Sequence, residues 1–392
     1  MNILFLTLGH VSKLRGGVDR VTDTLATNLI KRGFSVLMLS VGKPVPGDRV
    51  ESYQFLLPSQ VIFSEENVNF LKQFLNTKQV DVIVNQSEPI QLMNLLVSSH
   101  GRVPIVSVIH TDPKAVLKTI TDTWDKWKYE QGMFRFSAKY PYYLLRKLYQ
   151  KTTRRKFIEN KYSFYYEKCA AVVLLSERFK EPFKDIAGIS NEKKLFAISN
   201  PMSTDILENQ CNNKEKLILF VGRLEFSPKR LDRLFDVWVQ IKDKAGWRIC
   251  VLGDGGERGF YEQYAKHLNI NNIEFLGTVN PVPYYEKASI LCVTSTYEGF
   301  SLAILEGLNN GVIPIAFDSY EAVHDLIETG YNGFIVPSFS IRDYKETLEH
   351  LMSDENLRIS IRENIKEKNN RHEFDIDIIT DRWISLFEKI VN

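Results

Sequence analysis

Glu298 and Glu306 bracket the stretch of this chain with the richest chemistry, Thr294-Ser295-Thr296-Tyr297-Glu298-Gly299-Phe300-Ser301-Leu302-Ala303-Ile304-Leu305-Glu306. An apolar run ends there, a glycine-containing turn follows, and Ser301 stands where a residue can cap a new helix. The first amides of such a helix are open to a phosphate. Glu298 precedes the helix and Glu306 lies inside it, so both can face one ligand held at the helix start. Carboxylates accept hydrogen bonds from the vicinal hydroxyls of a ribose or a hexose. The competing reading is a pair of solvated acids. The apolar Phe300, Leu302, Ile304 and Leu305 speak for a packed segment instead.

Cations stand where the negative end of such a ligand would need them. Gly222, Arg223 and Lys229 follow the apolar run Leu217–Val221. A diphosphate suits this pair, because arginine gives forked hydrogen bonds and lysine a point charge. Plain surface charge is the alternative, since Arg230 and Arg233 lie nearby. The turn Gly253-Asp254-Gly255-Gly256, with Arg258, follows another apolar run and lets a base or ribose pass close to backbone. Near the start, Gly16-Gly17 precedes a helical pattern, where amides and helix dipole favour an anion. His110 ends the run Pro104–Ile109. Its ordinary pKa suits hydrogen bonding to a sugar or phosphate, or proton handling. Taken alone, a structural turn explains it better.

The elements that must position these residues repeat one pattern. Ile3–Leu8 reads as a strand, and Val18, Val21, Leu25 and Leu29 recur at helical spacing. Gly33 stops that helix, and Phe34–Val41 reads as the next strand. Further short apolar runs stand at Val80–Val84, Pro104–His110 and Ala170–Leu175. The pattern breaks near Asn200-Pro201-Met202; residues 203–216 are polar and read as a linker. It then restarts, with strands at Leu217–Val221, Trp247–Leu252, Ile273–Leu276, Ala288–Thr294 and Ile313–Phe317. Strand–helix alternation of this kind predicts two parallel, doubly wound sheets. Ile378, Trp383, Leu386 and Ile390 mark a terminal amphipathic helix.

The 392 residues exceed one ordinary core and fit two domains. Residues 1–200 carry 29 Lys+Arg against 18 Asp+Glu, a net of +11, and the rest carry 21 against 30, a net of −9. The N-terminal half is therefore the better partner for an anion. Cys169, Cys211, Cys250 and Cys292 form no CxxC pair. That excludes a structural zinc site by spacing and points to reduced, buried thiols. The chain opens on a strand-like run without a basic leader, which predicts no signal peptide. No apolar stretch approaches the ~20 residues of a membrane helix. A cytoplasmic protein is expected.

Residues 124–166 stand apart. They hold 14 aromatics, including Trp124, Trp127, Tyr142, Tyr143, Tyr165 and Tyr166, and 11 Lys+Arg against 3 Asp+Glu. Cationic stems interleaved with aromatics suit an anionic membrane surface or a lipid-linked acceptor. Arg154, Arg155 and Lys156 can meet an acceptor phosphate. The alternative is a packed helical hairpin with solvated charges. No nucleic-acid-binding module is visible.

These motifs closely resemble glycosyltransferase family 4, the retaining family of GT-B fold. The resemblance covers most of the chain and is strongest over 217–336. It rests on Glu298-x7-Glu306 within YEGFSLAILEG, on Gly222-Arg223-Leu224…Lys229, on the GDGG turn with Arg258, and on Gly-Tyr-Asn-Gly-Phe-Ile-Val at 330–336. Gly16-Gly17-Val18-Asp19-Arg20 and His110 match weaker signatures. The resemblance implies two Rossmann-like domains facing across a cleft: 1–200 on the acceptor side, with a basic aromatic insertion at about 118–168, then 201–372 for the nucleotide sugar. The helix 373–392 would pack back on the first. It implies donor binding by Gly17, Arg223, Lys229, Gly255, Arg258, Glu298, Gly299, Phe300, Ser301, Leu302 and Glu306. Arg223 and Lys229 would hold the diphosphate, Glu306 the ribose and Glu298 the transferred sugar. His110 would assist the reaction, and Arg154 and Arg155 would meet the acceptor. Arg223 and Lys229 are six apart where many relatives have about five, which loosens the register of Lys229.

The activity implied is transfer of a hexose-type sugar from a UDP- or GDP-sugar, with retention, to a glycan or lipid-linked acceptor, without metal or cofactor. Polysaccharide or lipopolysaccharide assembly on the inner face of a membrane is the expected setting. An epimerase or phosphorylase of the same fold would share the phosphate cations but not the Glu298–Glu306 pattern, and a glycan-binding relative would not need both cations and both acids. A dehydrogenase is the least favoured reading, for want of GxGxxG after the first strand. Asp375-Ile376-Asp377 lies outside any strand-end loop and is read as chance.

Overall fold

A computed structural model describes residues 1–12, 16–44, 48, 50–131, 140–202, 214–369 and 372–391, with side chains for all of these except 127–131 and 140–143. The linker read at 203–216 lies outside the described residues except for its last three, as do Cys211 and the side chains of Trp127, Tyr142 and Tyr143.

The chain divides into two compact units: Met1–Pro113, Arg155–Ser203 and Phe374–Asn392 form the first, Lys114–Arg154 and Thr204–Glu373 the second. The first carries a seven-stranded parallel sheet of β1 (Asn2–Thr7), β2 (Ser35–Ser40), β3 (Gln54–Leu56), β4 (Val82–Asn85), β5 (Ile105–Ile109), β6 (Ala171–Leu174) and β7 (Leu195–Ala197), in the order β3-β2-β1-β4-β5-β6-β7. The second carries six, β8 (Glu215–Val221), β9 (Arg248–Leu252), β10 (Ile273–Gly277), β11 (Ala288–Val293), β12 (Ile313–Phe317) and β13 (Phe334–Val336), in the order β10-β9-β8-β11-β12-β13. Both are doubly wound α/β sheets. Their strands are covered by helices on both faces, so they read as unbroken apolar runs; β4, β5 and β6 are buried at every residue.

The first helix, Gly17–Lys31, buries Val21, Leu25, Ala26 and Leu29, and Gly33 follows it at φ +88. That left-handed turn is open to glycine without a steric penalty. The terminal helix Ile376–Val391 belongs to the same unit and packs on Gly17–Lys31. Its buried face is Ile379, Trp383, Leu386 and Phe387; Ile378, read from periodicity as part of that face, is exposed. Asp377 of the Asp-x-Asp pair holds Arg32 at 2.8 Å and accepts from Asn28 at 3.1 Å. It therefore has a structural post, fixing the terminal helix.

The basic aromatic segment differs from the sequence reading, which set it wholly within the N-terminal domain. The division between units falls inside one long helix, Tyr140–Lys168, and residues 114–154 go with the second unit. The cause is a set of buried polar bonds from the helix Ala115–Gln131, described below. Several of the segment's aromatics are core: Trp124, Tyr162 and Tyr165 are buried, and Tyr162 stacks on Phe183. Leu144, Leu145, Leu148, Tyr149 and Phe157 remain exposed on the long helix.

Candidate active site

In each sheet the winding reverses between the first strand and a later one, β1 against β4 and β8 against β11. Loops that leave a doubly wound sheet at this switch point diverge and open a crevice for ligand. The second sheet's switch point carries the loop after β8, with Arg223 and Lys229, and the loop after β11, with Glu298.

The structure joins these two loops. Lys229 donates through Nζ to Glu298 Oε1 at 2.7 Å, and Ser295 Oγ donates to the same oxygen at 2.7 Å. The Lys229 and Glu298 side chains are only 19% and 13% exposed, so the pair is shielded enough to matter electrostatically. An ammonium has three donors, and one of Lys229's goes to Glu298. The lysine stem runs along Gly222, where an added Cβ would come within 3.2 Å of it. Arg223 is 70% exposed and touches Glu225 at 3.4 Å, a weak tie that leaves its guanidinium reachable.

Ser301 takes the N-cap position of the helix Leu302–Asn309 but makes no capping bond. The expected side-chain cap is therefore absent, and the first-turn amides keep no cap from Ser301. Phe300 and Glu306 are buried, and Gly299 lies in the loop between Glu298 and the helix.

The GDGG turn has a different reason for its glycines than ligand approach. Gly253 adopts φ +128, and a Cβ there would stand 2.0 Å from the Gly222 carbonyl oxygen. At Gly255 a Cβ would meet the Leu224 oxygen at 2.5 Å. Leu224 donates its N–H to Asp254 O, and Glu257 N–H donates to Leu224 O, both at 2.9 Å. Backbone packs on backbone, and the turn props the Arg223 loop. Arg258 braces it, donating to Glu262 at 2.7 Å and to Phe275 O at 3.3 Å.

In the first unit, Gly17 begins a helix whose N-cap, Gly16, has φ −62 and nothing within 4 Å of a built Cβ. Among the described residues, space lies open there. His110 follows β5, and its Nε2 lies 2.6 Å from Gln86 Oε1. Burial pushes its pKa down to about 4, Glu88 opposing, although the residue keeps part of its surface exposed. His110 is thus a neutral imidazole at neutral pH, which corrects the expectation of a group titrating near working pH. Arg154 donates to Thr119 at 2.9 Å in the second unit, and Arg155 pairs with Glu159 at 3.0 Å in the first.

Sequence reasoning missed the polar core beneath the site. Arg230, read as surface charge, is 5% exposed and holds Asp122 at 2.7 Å, Asp125 at 2.9 Å and Asp232 at 2.9 Å. Burial works to lower its pKa, and Asp232 and Asp122 outweigh it, holding the guanidinium above its ordinary value. Arg233 donates to Thr294 O at 3.0 Å and lies 4.0 Å over the Phe339 ring. Asp122 is more than 100 positions from Arg230 in sequence, and no local pattern signals such a pair.

Two family profiles between them match residues 15–368: Glycosyltransferase Family 4 over residues 15–206 and Glycosyl transferases group 1 over 203–368. The chain belongs to the family 4 glycosyltransferases and has the GT-B fold. Among known proteins it is 26% identical over 378 residues to an uncharacterized glycosyltransferase of Haemophilus influenzae, covering 94% of this chain and 95% of that one. It is 30% identical over 206 residues to a Campylobacter jejuni α-1,4-N-acetyl-D-galactosaminyltransferase whose named acceptor is a glycan on PP-undecaprenol, covering 51% of this chain and 56% of the other. The solved structure of Anabaena HepE in complex with UDP-glucose superposes with a TM-score of 0.73 at 18% identity, over 99% of this chain and all of that one.

Proposed function

We propose that this glycosyltransferase moves a hexose-type sugar from a UDP- or GDP-sugar to a glycan or lipid-linked acceptor with retention of anomeric configuration, in cell-surface polysaccharide or lipopolysaccharide assembly. The observation that carries the reading is the Lys229–Glu298 pair at the switch point of the second sheet. Glycosyl transfer builds positive charge on the sugar and negative charge on the departing diphosphate. Arg223, Lys229 and the amides at Phe300–Leu302 meet the diphosphate; Glu298 accepts from the sugar's hydroxyls and Glu306 from the ribose. Fixed cations aimed at the leaving group lower the barrier without reorganisation. Two of them balance about two negative charges, so metal and cofactor are unnecessary in this reading. The neutral His110 serves as a hydrogen-bond partner near the transferred sugar, and Gly17 lies beside the diphosphate or acceptor. The acceptor named for the Campylobacter relative and the nucleotide sugar in the HepE complex support this substrate class.

A screen of UDP-, GDP- and ADP-sugars by thermal shift tests it. The true donor at 100 times its dissociation constant stabilises by about 2.7 kcal/mol. Nucleoside diphosphate should then be released only with acceptor present, and at an undiminished rate in excess chelator. Release without acceptor favours an epimerase or hydrolase, failure to bind any nucleotide sugar a glycan-binding relative, and loss in chelator a metal site.

The proposed station is the cytoplasmic face of a membrane. No helix among the described residues is long and apolar enough to cross one. The exposed Leu145 and Tyr149, 69% and 70% accessible, share a helix with Lys147, Lys151 and Lys156. Apolar side chains beside cations suit an anionic interface. The protein should co-sediment with phosphatidylglycerol vesicles at physiological salt, and Leu145→Glu with Tyr149→Glu should abolish this. Absence of binding at any salt would remove the membrane from the proposal.

A further inference from the structure

We infer that Asp122 is a positioning residue for the donor site, acting from a helix outside the Rossmann-like sheet it serves. This rests on the donor-site reading of Lys229 and Glu298. Asp122 sits in the helix Ala115–Gln131 and has no exposed surface. Its two oxygens accept from both site loops at once. From the loop after β8 come Ser227 Oγ, at 2.8 Å to Oδ2, and Arg230 Nη1, at 2.7 Å to Oδ1. Thr296 Oγ1, from the loop after β11, lies 2.7 Å from Oδ1. Ser227 and Arg230 flank Lys229; Thr296 stands two residues before Glu298.

The loops also hold each other. Thr296 N–H donates to Pro228 O at 2.8 Å, and Thr294 Oγ1 donates to Arg230 O at 2.9 Å. These bonds fix the two backbones but cannot order the side-chain layer between them. A buried carboxylate that accepts these three hydrogen bonds, and a longer one from Arg233 at 3.5 Å, can, since each is charge-assisted and directional. The distance between the Lys229 ammonium and the Glu298 carboxylate is then set from Asp122. Lys126, one turn along the same helix, pairs with Glu257 beside the GDGG turn, and Lys118 donates to Ser319 O at 2.6 Å. The helix is thus pinned along its length, which gives Asp122 a rigid base.

Asp122→Ala should lower kcat on the order of 10²-fold, the loss expected of a misplaced site. Asp122→Asn keeps an accepting oxygen for Arg230 and Thr296 and should recover most of it. Asp125→Ala, which removes the 2.9 Å contact to Arg230 and leaves the Asp122 ties in place, should leave turnover near wild type. In hydrogen exchange, Asp122→Ala should speed exchange in peptides covering 223–231 and 294–301 and leave both sheets unchanged. Thr296→Val and Ser227→Ala each delete one tie without stranding a charge; both should lower kcat in the same direction, and they decide the matter if Asp122→Ala does not fold. Wild-type kcat in Asp122→Ala or in Thr296→Val overturns the inference, as does faster exchange spread evenly over the sheets. Wild-type turnover in Lys229→Met would instead sink the donor-site reading, and the exchange measurement would still test the tie.

Discussion

Lys229→Met should reduce turnover by about 10²–10³-fold, a barrier increase of about 3–4 kcal/mol, the loss seen when one preorganised donor to a developing charge is removed. Methionine keeps a long unbranched stem to lie along Gly222 and deletes the ammonium. The loss is therefore electrostatic, with little change in packing. Glu298 keeps its bond from Ser295 at 2.7 Å, so the carboxylate is not stranded and the urea midpoint should stay near that of the wild type. Steady-state turnover with the donor found by the thermal-shift screen is the measurement. Wild-type kcat would take Lys229 away from the leaving group.

Arg230→Ala should instead unfold the second domain early, by about 3–5 kcal/mol, the loss that follows when a buried charge is left without its partner. Asp122 and Asp232 are both fully buried and both turn to this guanidinium. Removing it takes the nearest cation from both: Asp122 keeps Ser227, Thr296 and Arg233 at 3.5 Å, while Asp232 loses its guanidinium bonds. Such a loss is a large share of an ordinary domain's stability. Urea unfolding followed by the fluorescence of the buried Trp238 and Trp247 measures it. A change below about 1 kcal/mol, the size of an exposed pair, would mean that water reaches the cluster.

The two variants separate what the sequence made legible from what it did not. Ten strands could be placed to within about two residues, because parallel strands covered on both faces read as apolar runs. The three that escaped, Gln54–Leu56, Leu195–Ala197 and Phe334–Val336, are three residues long and stand at sheet edges. Edge strands bury less and leave a weaker pattern. Lys229 and Glu298 were legible because their types and their places after strands name a chemistry. Asp122 and Arg230 were not, since a buried ion pair between distant segments looks, in sequence, like two surface charges. At Gly255, read as lying beside the donor, only coordinates show the Leu224 carbonyl 2.5 Å from where a Cβ would stand. The face of the terminal helix was off by one residue at Ile378: Ile379, four residues before Trp383, keeps the helical period, and Ile378, five before it, does not.

That terminal helix has a consequence for how the protein is made. Ile379, Trp383, Leu386 and Phe387 cover Gly17–Lys31, with Arg32 and Asn28 clasping Asp377. During synthesis, residues 17–31 leave the ribosome before all of the second domain, and their cover comes after it. The surface of that early helix which the terminal helix covers waits through more than 300 codons of translation, a window in which a chaperone or a misplaced neighbour can occupy it.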